Sequence, residues 1–165
     1  FRSAPVIFVT IGSIFPFDRM IRAMDGWASA EGRGEEVFAQ IGAGSFEPRH
    51  MRWVRRLDRG AYAEAMASSR LIVAHAGVGS VVTAGELGKP IVVMPRRAAL
   101  GEHTSDHQVE TVSWLRGKPG LVVADGEADL PECIAAAAAA ANAGARLATT
   151  ADTGLIERLR HFIHG

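Results

Sequence analysis

Six consecutive residues carry the most chemistry in this sequence. They are His75-Ala76-Gly77-Val78-Gly79-Ser80, directly after the apolar run Leu71-Ile72-Val73-Ala74 and directly before a helical pattern. Two glycines let the main chain come close to a ligand, and a first helical turn presents unpaired N–H groups with a partial positive charge. Ser80 adds a hydroxyl and His75 a further donor, so the segment reads as a cradle for phosphate or a similar anion. The same residues also fit a tight strand-to-helix turn with Ser80 as its N-cap. A third reading is NADP binding: Gly77-x-Gly79 follows a strand, and the next strand ends in Pro95-Arg96-Arg97, arginines suited to a 2′-phosphate. Val82 stands where that fingerprint needs its third glycine or alanine, and the unit lies mid-chain instead of opening its domain.

A second polar stretch, Gly101-Glu102-His103-Thr104-Ser105-Asp106-His107-Gln108, follows the strand candidate Ile91 to Met94. Such a density of donors and acceptors beside the anion loop suits a hydroxyl-rich ligand such as a sugar, and equally a polar loop without function. His103 and His107, four apart, would share a helix face as zinc ligands do, but Thr104 replaces the glutamate of the metalloprotease pattern and no third ligand is spaced to join them. Arg96 and Arg97 suit a diphosphate or a carboxylate through bidentate contacts, or simply a solvated or partner-facing pair. The run Arg49, His50, Arg52, Arg55, Arg56 and Arg59 around Trp53 fits an anionic bilayer, a partner, or a charged strand-to-helix loop. Asp125 and Glu127 weakly resemble a metal-binding acidic pair. Trp27, Trp53, Trp114 and Cys133 fall on patterns that favour burial.

These residues need a frame, and alternating short apolar runs and helical patterns supply one. Strands are predicted at Val6 to Thr10, Val37 to Ile41, Leu71 to Ala74, Ile91 to Met94 and Leu121 to Val123. Helices are predicted at Phe17 to Ala30, Ala61 to Ser69, Ser80 to Leu87, Ser105 to Arg116, Leu130 to Asn142 and Thr153 to His164. Gly12, Gly42, Gly77, Gly88 and Gly120 punctuate the element ends. Continuous apolar strands between helices predict a doubly wound, Rossmann-like parallel sheet of the α/β class, in a single domain over residues 1–165. Ligands of such sheets bind beyond the carboxyl ends of the strands, where both polar stretches lie.

Composition narrows the function classes. Lys plus Arg and Asp plus Glu both number 18, and a formal net charge of zero argues against a general nucleic-acid binder. With 48% hydrophobic and 22% charged residues the chain has an ordinary globular balance. One cysteine excludes an intrachain disulfide and fits a reducing compartment. No apolar run approaches the roughly 20 residues of a membrane helix, and the amino end lacks a signal-peptide core, so a soluble cytoplasmic domain is expected.

The ordered set His75-Ala-Gly-Val-Gly-Ser80, Gly88-Lys89-Pro90, Met94-Pro-Arg-Arg97, Gly101-Glu-His103 and Asp106-His-Gln108 resembles the family-28 glycosyltransferase C-terminal domain. So does the opening Phe8-Val-Thr-Ile-Gly12-Ser13 with Pro16-Phe17-Asp18-Arg19. Within that family it is most similar to stand-alone small subunits of bacterial exopolysaccharide transferases (PssE-like), themselves similar to the catalytic subunit of the dolichol-linked N-acetylglucosamine transferase. The resemblance spans residues 6 to 125. It implies the donor-binding half of a GT-B fold, which holds a UDP-sugar without a metal or other cofactor and serves inverting transfer to a lipid-linked sugar acceptor. Gly12 and Ser13 would face the cleft, and residues 75–80 would hold the diphosphate. Asp106 and Gln108 would meet sugar hydroxyls, with Arg97, Glu102 and His103 also expected at the ligand. Relatives place a ribose-gripping glutamate three residues after the loop serine, whereas this chain has Thr83 there and its next acid at Glu86. A GT-B enzyme needs two such halves. A membrane-associated partner subunit at the inner face of the cytoplasmic membrane is therefore expected to supply the acceptor site and the base, and no catalytic residue is assigned here.

Overall fold

The computed structural model describes residues 6–12 and 15–145. Six strands, β1 (Ile7–Thr10), β2 (Val37–Gln40), β3 (Arg52–Val54), β4 (Leu71–His75), β5 (Ile91–Met94) and β6 (Leu121–Val123), form one sheet in the order β3-β2-β1-β4-β5-β6. Every pairing is parallel. Between them run α1 (Asp18–Glu31), α2 (Arg59–Ser68), α3 (Val78–Glu86) and α4 (His107–Leu115), and α5 (Leu130–Asn142) follows β6.

The strands are apolar on both faces because both faces are covered. Ile7, Val9, Val73, Val92 and Met94 pack with Met20, Met24 and Trp27 of α1 and with Leu130 and Ile134 of α5. Phe8, Ile72, Ile91 and Val93 face the other way, against Met66 of α2, Val81 and Ala84 of α3, and Val112 and Leu115 of α4. The strand order reverses direction between β1 and β4. Their carboxyl ends therefore splay apart and leave a crevice at that point.

One strand departs from the sequence expectation. Arg52–Val54, expected within a charged strand-to-helix loop, pairs with Phe38 to Gln40 as an edge strand. Its arginines hide it from any apolar pattern, yet they serve local backbone: Arg52 Nη2 donates to the Glu35 carbonyl, and Arg55 Nη1 to those of Gly42 and Gly44. Helix starts also shift. α3 begins at Val78 instead of Ser80, with Gly77 as N-cap, and α4 begins at His107, which leaves His103 outside the helix and removes the shared histidine face. α2 begins at Arg59 because the Asp58 carboxylate accepts the Ala61 N–H at 2.7 Å. Trp27 is buried in the core, Trp53 and Cys133 are packed against it, and the Trp53 indole N–H reaches the Pro48 carbonyl. The helix expected at 153–164 lies outside the described residues. Among the described residues no helix is long and apolar enough to cross a membrane.

Two glycines make opposite demands on stability. A Cβ at Gly34 would lie 1.9 Å from the His50 carbonyl oxygen, a backbone atom held in place by two loop amides, Arg49 N–H and His50 N–H, on the buried Asp25 carboxylate. A Cβ at Gly26, within α1, meets nothing. Gly34→Ala is expected to lose about 2 kcal/mol or more through overpacking, whereas Gly26→Ala gains about 0.5–1 kcal/mol from backbone entropy. Urea denaturation of the two variants reads both signs.

Candidate functional site

The crevice opens into a cleft of about 870 Å³ beyond the carboxyl ends of β1, β2, β4 and β5. One wall is the amino end of α3. Its N-cap, Gly77, has no side chain to give, and the first main-chain bond of the helix runs from the Val81 N–H to the Gly77 carbonyl at 3.3 Å. The amides of Val78, Gly79 and Ser80 precede that bond and have no intrahelical acceptor. Glycine is required at 77 for a local reason: a Cβ there would stand 2.2 Å from His75 Cε1. The serine, aspartate or asparagine that normally caps a helix is therefore excluded by the imidazole, and the turn keeps its amides uncapped. Ser80, expected as a possible N-cap, sits inside the first turn instead, with its hydroxyl 3.2 Å from the Tyr62 phenol.

The other side of the His75 ring is closed by Gly12. A Cβ at Gly12 would lie 2.7 Å from His75 Nε2, and its φ of +79° is itself a glycine conformation. The ring is thus slotted between two glycines, and its protonation follows from its neighbours. The Arg96 main-chain N–H donates to Gln108 Oε1 at 3.1 Å, which turns the Gln108 amide nitrogen toward His75 Nδ1, also at 3.1 Å. Nδ1 must then accept, so the proton sits on Nε2 and this nitrogen is a donor. Burial, reinforced by the Arg96 and His103 charges, pushes the imidazole down to about 3, so it stays neutral. His103 reaches the same tautomer by a different contact, since its Nδ1 accepts the Ser105 N–H at 3.3 Å; burial, with Arg96 and His107, also lowers its pKa.

Gly12, His75, Gly77, Val78, Gly79, Ser80, His103 and Gln108 all line the cleft, so the two polar stretches do meet. Ala76 lies beneath it, fully buried, with its N–H on the Met94 carbonyl. Arg97, Glu102 and Asp106 stand outside the lining. Arg97 donates to the Asp125 carbonyl, and Asp106 accepts the Ala98 N–H. Glu102 takes a two-point contact from Arg19 at 2.9 and 3.0 Å. Ser13 lies outside the described residues. Asp125 and Glu127 are paired with Arg116 and Arg19, and among the described residues no group of three or more His, Cys, Asp or Glu is placed to hold a metal ion.

Several lining residues were missed from the sequence. Gln40, at the end of β2, accepts from the Thr10 hydroxyl and the Ile11 N–H and donates to the Gly12 and Arg55 carbonyls, which fixes the β1 loop. Its only sequence signal is a polar residue inside the apolar run Val37 to Ile41. Arg56, Asp58, Arg59, Tyr62 and Thr83 form the far side. Arg96, not Arg97, reaches into the site: its Nη2 donates to the Ile11 carbonyl and, at 2.7 Å, to that of Phe15, while its guanidinium lies 5.0 Å from the Phe17 ring centre. With Arg96 turned inward and Arg97 on Asp125, no arginine pair projects from β5 as 2′-phosphate recognition would need.

A parallel 3-2-1-4-5-6 sheet with an uncapped helix at its switch point defines a Rossmann-like ligand-binding domain. Residues 6–160 match the glycosyltransferase family 28 C-terminal domain, and the chain belongs to that family. Solved structures agree on the fold, which is that of the C-terminal domain of GT-B glycosyltransferases. The kitacinnamycin glycotransferase has a TM-score of 0.53 at 15% identity over 96% of this chain and 40% of its own. The spinosyn forosaminyltransferase SpnP gives 0.52 at 19%, over 87% and 38%. The calicheamicin glycosyltransferase CalG4 gives 0.50 at 19%, over 96% and 38%. The chain thus spans about two-fifths of the length of these enzymes. No curated protein matches it.

Because the His75 pKa is depressed to about 3 in the fold and is near 6.5 when unfolded, the unfolded chain alone takes up this proton between those values. Stability is therefore kept above pH 6.5 and falls as pH drops toward 3. Nitrogen-15 shifts of the His75 ring should remain those of a neutral Nε2–H imidazole from pH 8 to pH 5. A titration near pH 6.5 would contradict the burial and the tautomer together.

Proposed function

We propose that this domain is the donor half of a glycosyltransferase and holds a UDP-sugar, with the diphosphate on the amino end of α3. The nucleoside would extend toward Arg56, Leu57 and Tyr62, and the sugar toward His103 and Gln108. The observation that carries this reading is the uncapped first turn of α3 beside a neutral imidazole donor. Val78, Gly79 and Ser80, whose amides have no intrahelical acceptor, line the same cleft as His75, and a Cβ at the cap position would clash with the imidazole. Membership of the family and the likeness in fold support the same reading.

In such a transfer an acceptor hydroxyl oxygen bonds to the anomeric carbon while the bond to the diphosphate oxygen breaks. The electron pair leaves with the diphosphate, and the acceptor proton goes to a base. Oriented amides at the α3 end offset the charge gathering on the leaving group without reorganising. The base is a different matter. His75 and His103 both turn a protonated Nε2 away from their occupied Nδ1 atoms, and Asp58 is engaged as the cap of α2. We therefore place the base and the acceptor site on a second Rossmann-like domain. A membrane-associated partner carrying a lipid-linked sugar acceptor for a surface polysaccharide is the specific form we favour. The same absence of a base among the described cleft residues also fits a module that binds a nucleotide sugar without transferring it. Product formation on adding the second domain separates the two.

Calorimetric titration with UDP tests the binding claim. His75→Ala and Ser80→Ala should each weaken UDP by a few-fold to a hundredfold, equivalent to about 1–3 kcal/mol for a hydrogen bond to a charged group. Unchanged affinity in both variants would overturn the cradle. Turnover of UDP-sugar and lipid acceptor by the isolated domain would overturn the placement of the base.

A further inference from the structure

Arg96 presents an unusual arrangement. Its side chain is 2% exposed, it lines the cleft, and it makes no ion pair among the described residues. The carboxylate that touches its own loop, Glu102, is committed to Arg19 at 2.9 Å. What holds the guanidinium is two carbonyl oxygens, those of Ile11 and Phe15, and the face of the Phe17 ring. Its Nη1 is buried and has no hydrogen-bond partner among the described residues. Burying an unpaired charge is costly, and a protein retains one where something else meets it.

The topology shows where that charge sits. Arg96 follows β5 and its guanidinium reaches the end of β1, so the side chain crosses the carboxyl end of β4 at the switch point, next to His75. Around the cleft the guanidinium groups of Arg56, Arg59 and Arg96 oppose one carboxylate, Asp58, while burial lowers the pKa of both histidines. Arg56 and Arg59 are at the exposed rim, where solvent and salt screen them. Arg96 is the buried one, and solvent and salt screen its charge much less. Burial lowers its pKa to about 10, which leaves it charged at neutral pH.

We propose that Arg96 is the specificity-determining charge of the cleft: its buried guanidinium selects ligands that carry a second phosphoryl group beyond the nucleoside monophosphate, and so admits nucleoside diphosphate donors over monophosphate ones. This rests on the donor-binding reading above and assigns to one side chain the preference among donors. The role is distinct from bracing the β1 loop through Ile11 and Phe15, which a neutral or differently shaped side chain would also disturb.

Affinities of UDP, UMP and uridine for wild type, Arg96→Lys and Arg96→Gln separate the two roles, with thermal melts confirming that each variant is folded. Wild type should prefer UDP over UMP by at least tenfold. Arg96→Gln should lose most of that ratio, with uridine changed less than threefold. Arg96→Lys retains the charge on a shorter, differently shaped head group, and it should keep most of the ratio. Should Arg96→Gln weaken all three ligands alike, or leave the UDP-to-UMP ratio intact, the inference is overturned while the donor-binding reading stands. Should wild type bind none of the three, both fall. If neither variant folds, the wild-type ratio decides: preference for UDP at or above tenfold, persisting at 0.5 M salt where rim charges are screened, supports the buried charge, and loss of preference at that salt overturns it.

Discussion

The imidazole of His75 governs the arrangement of the whole cleft. It fills the space a Cβ would need at both Gly12 and Gly77, and so dictates glycine at two loops that belong to different strands. At Gly77 the consequence is chemical. A helix whose cap position cannot hold a hydroxyl or carboxylate keeps its first amides available, and the α3 dipole adds to them. At Gly12 the consequence is positional, because the β1 loop is drawn against the ring and then secured from beneath by Gln40. One aromatic ring in one slot therefore joins β1, β4 and α3 into a single concave surface.

A chain of polar contacts sets the electronic state of that ring. The Arg96 amide orients Gln108, Gln108 orients His75, and the result is a neutral donor at Nε2. Each step is forced by the inability of a main-chain N–H to accept. Because the sequence 101–108 supplies Gln108, its polarity is only partly directed at a ligand. Glu102 and Asp106 brace the turn at Ala98 to Leu100, through the Arg97 and Ala98 amides, and Arg19 ties Glu102 to α1. A rigid floor of this kind costs little further order when a ligand arrives.

Much of this was readable in the residues themselves. Five of the strands announce themselves by apolar runs that only a doubly covered sheet produces, and the glycine-rich loop at 75–80 marks the turn that opens α3 onto the cleft. What stayed hidden was whatever depends on pairs distant in sequence. β3 carries arginines because it is a half-exposed edge, so hydropathy gave no sign of it. Gln40 and Tyr62 matter through Gly12 and Ser80, contacts that no local spacing encodes. Between Arg96 and Arg97 the alternation of a chain leaving β5 decided which one turns inward. Glu102 and Asp106 look like sugar ligands in sequence, since a carboxylate that braces a loop and one that binds a hydroxyl are the same residue type. The start of α3 differs for a similar reason: Ser80 is a good cap by propensity, but Gly77, beside the ring, takes the cap position and the helix begins at Val78.

The first amides of α3 are the proposed anion site. Backbone amide shifts recorded while UDP is added to nitrogen-15-labelled protein test it directly. The largest displacements are expected at Gly77 to Ser80, with the His75 ring moving in step. Saturable binding that leaves those amides still, and shifts a different edge of the sheet, would contradict it.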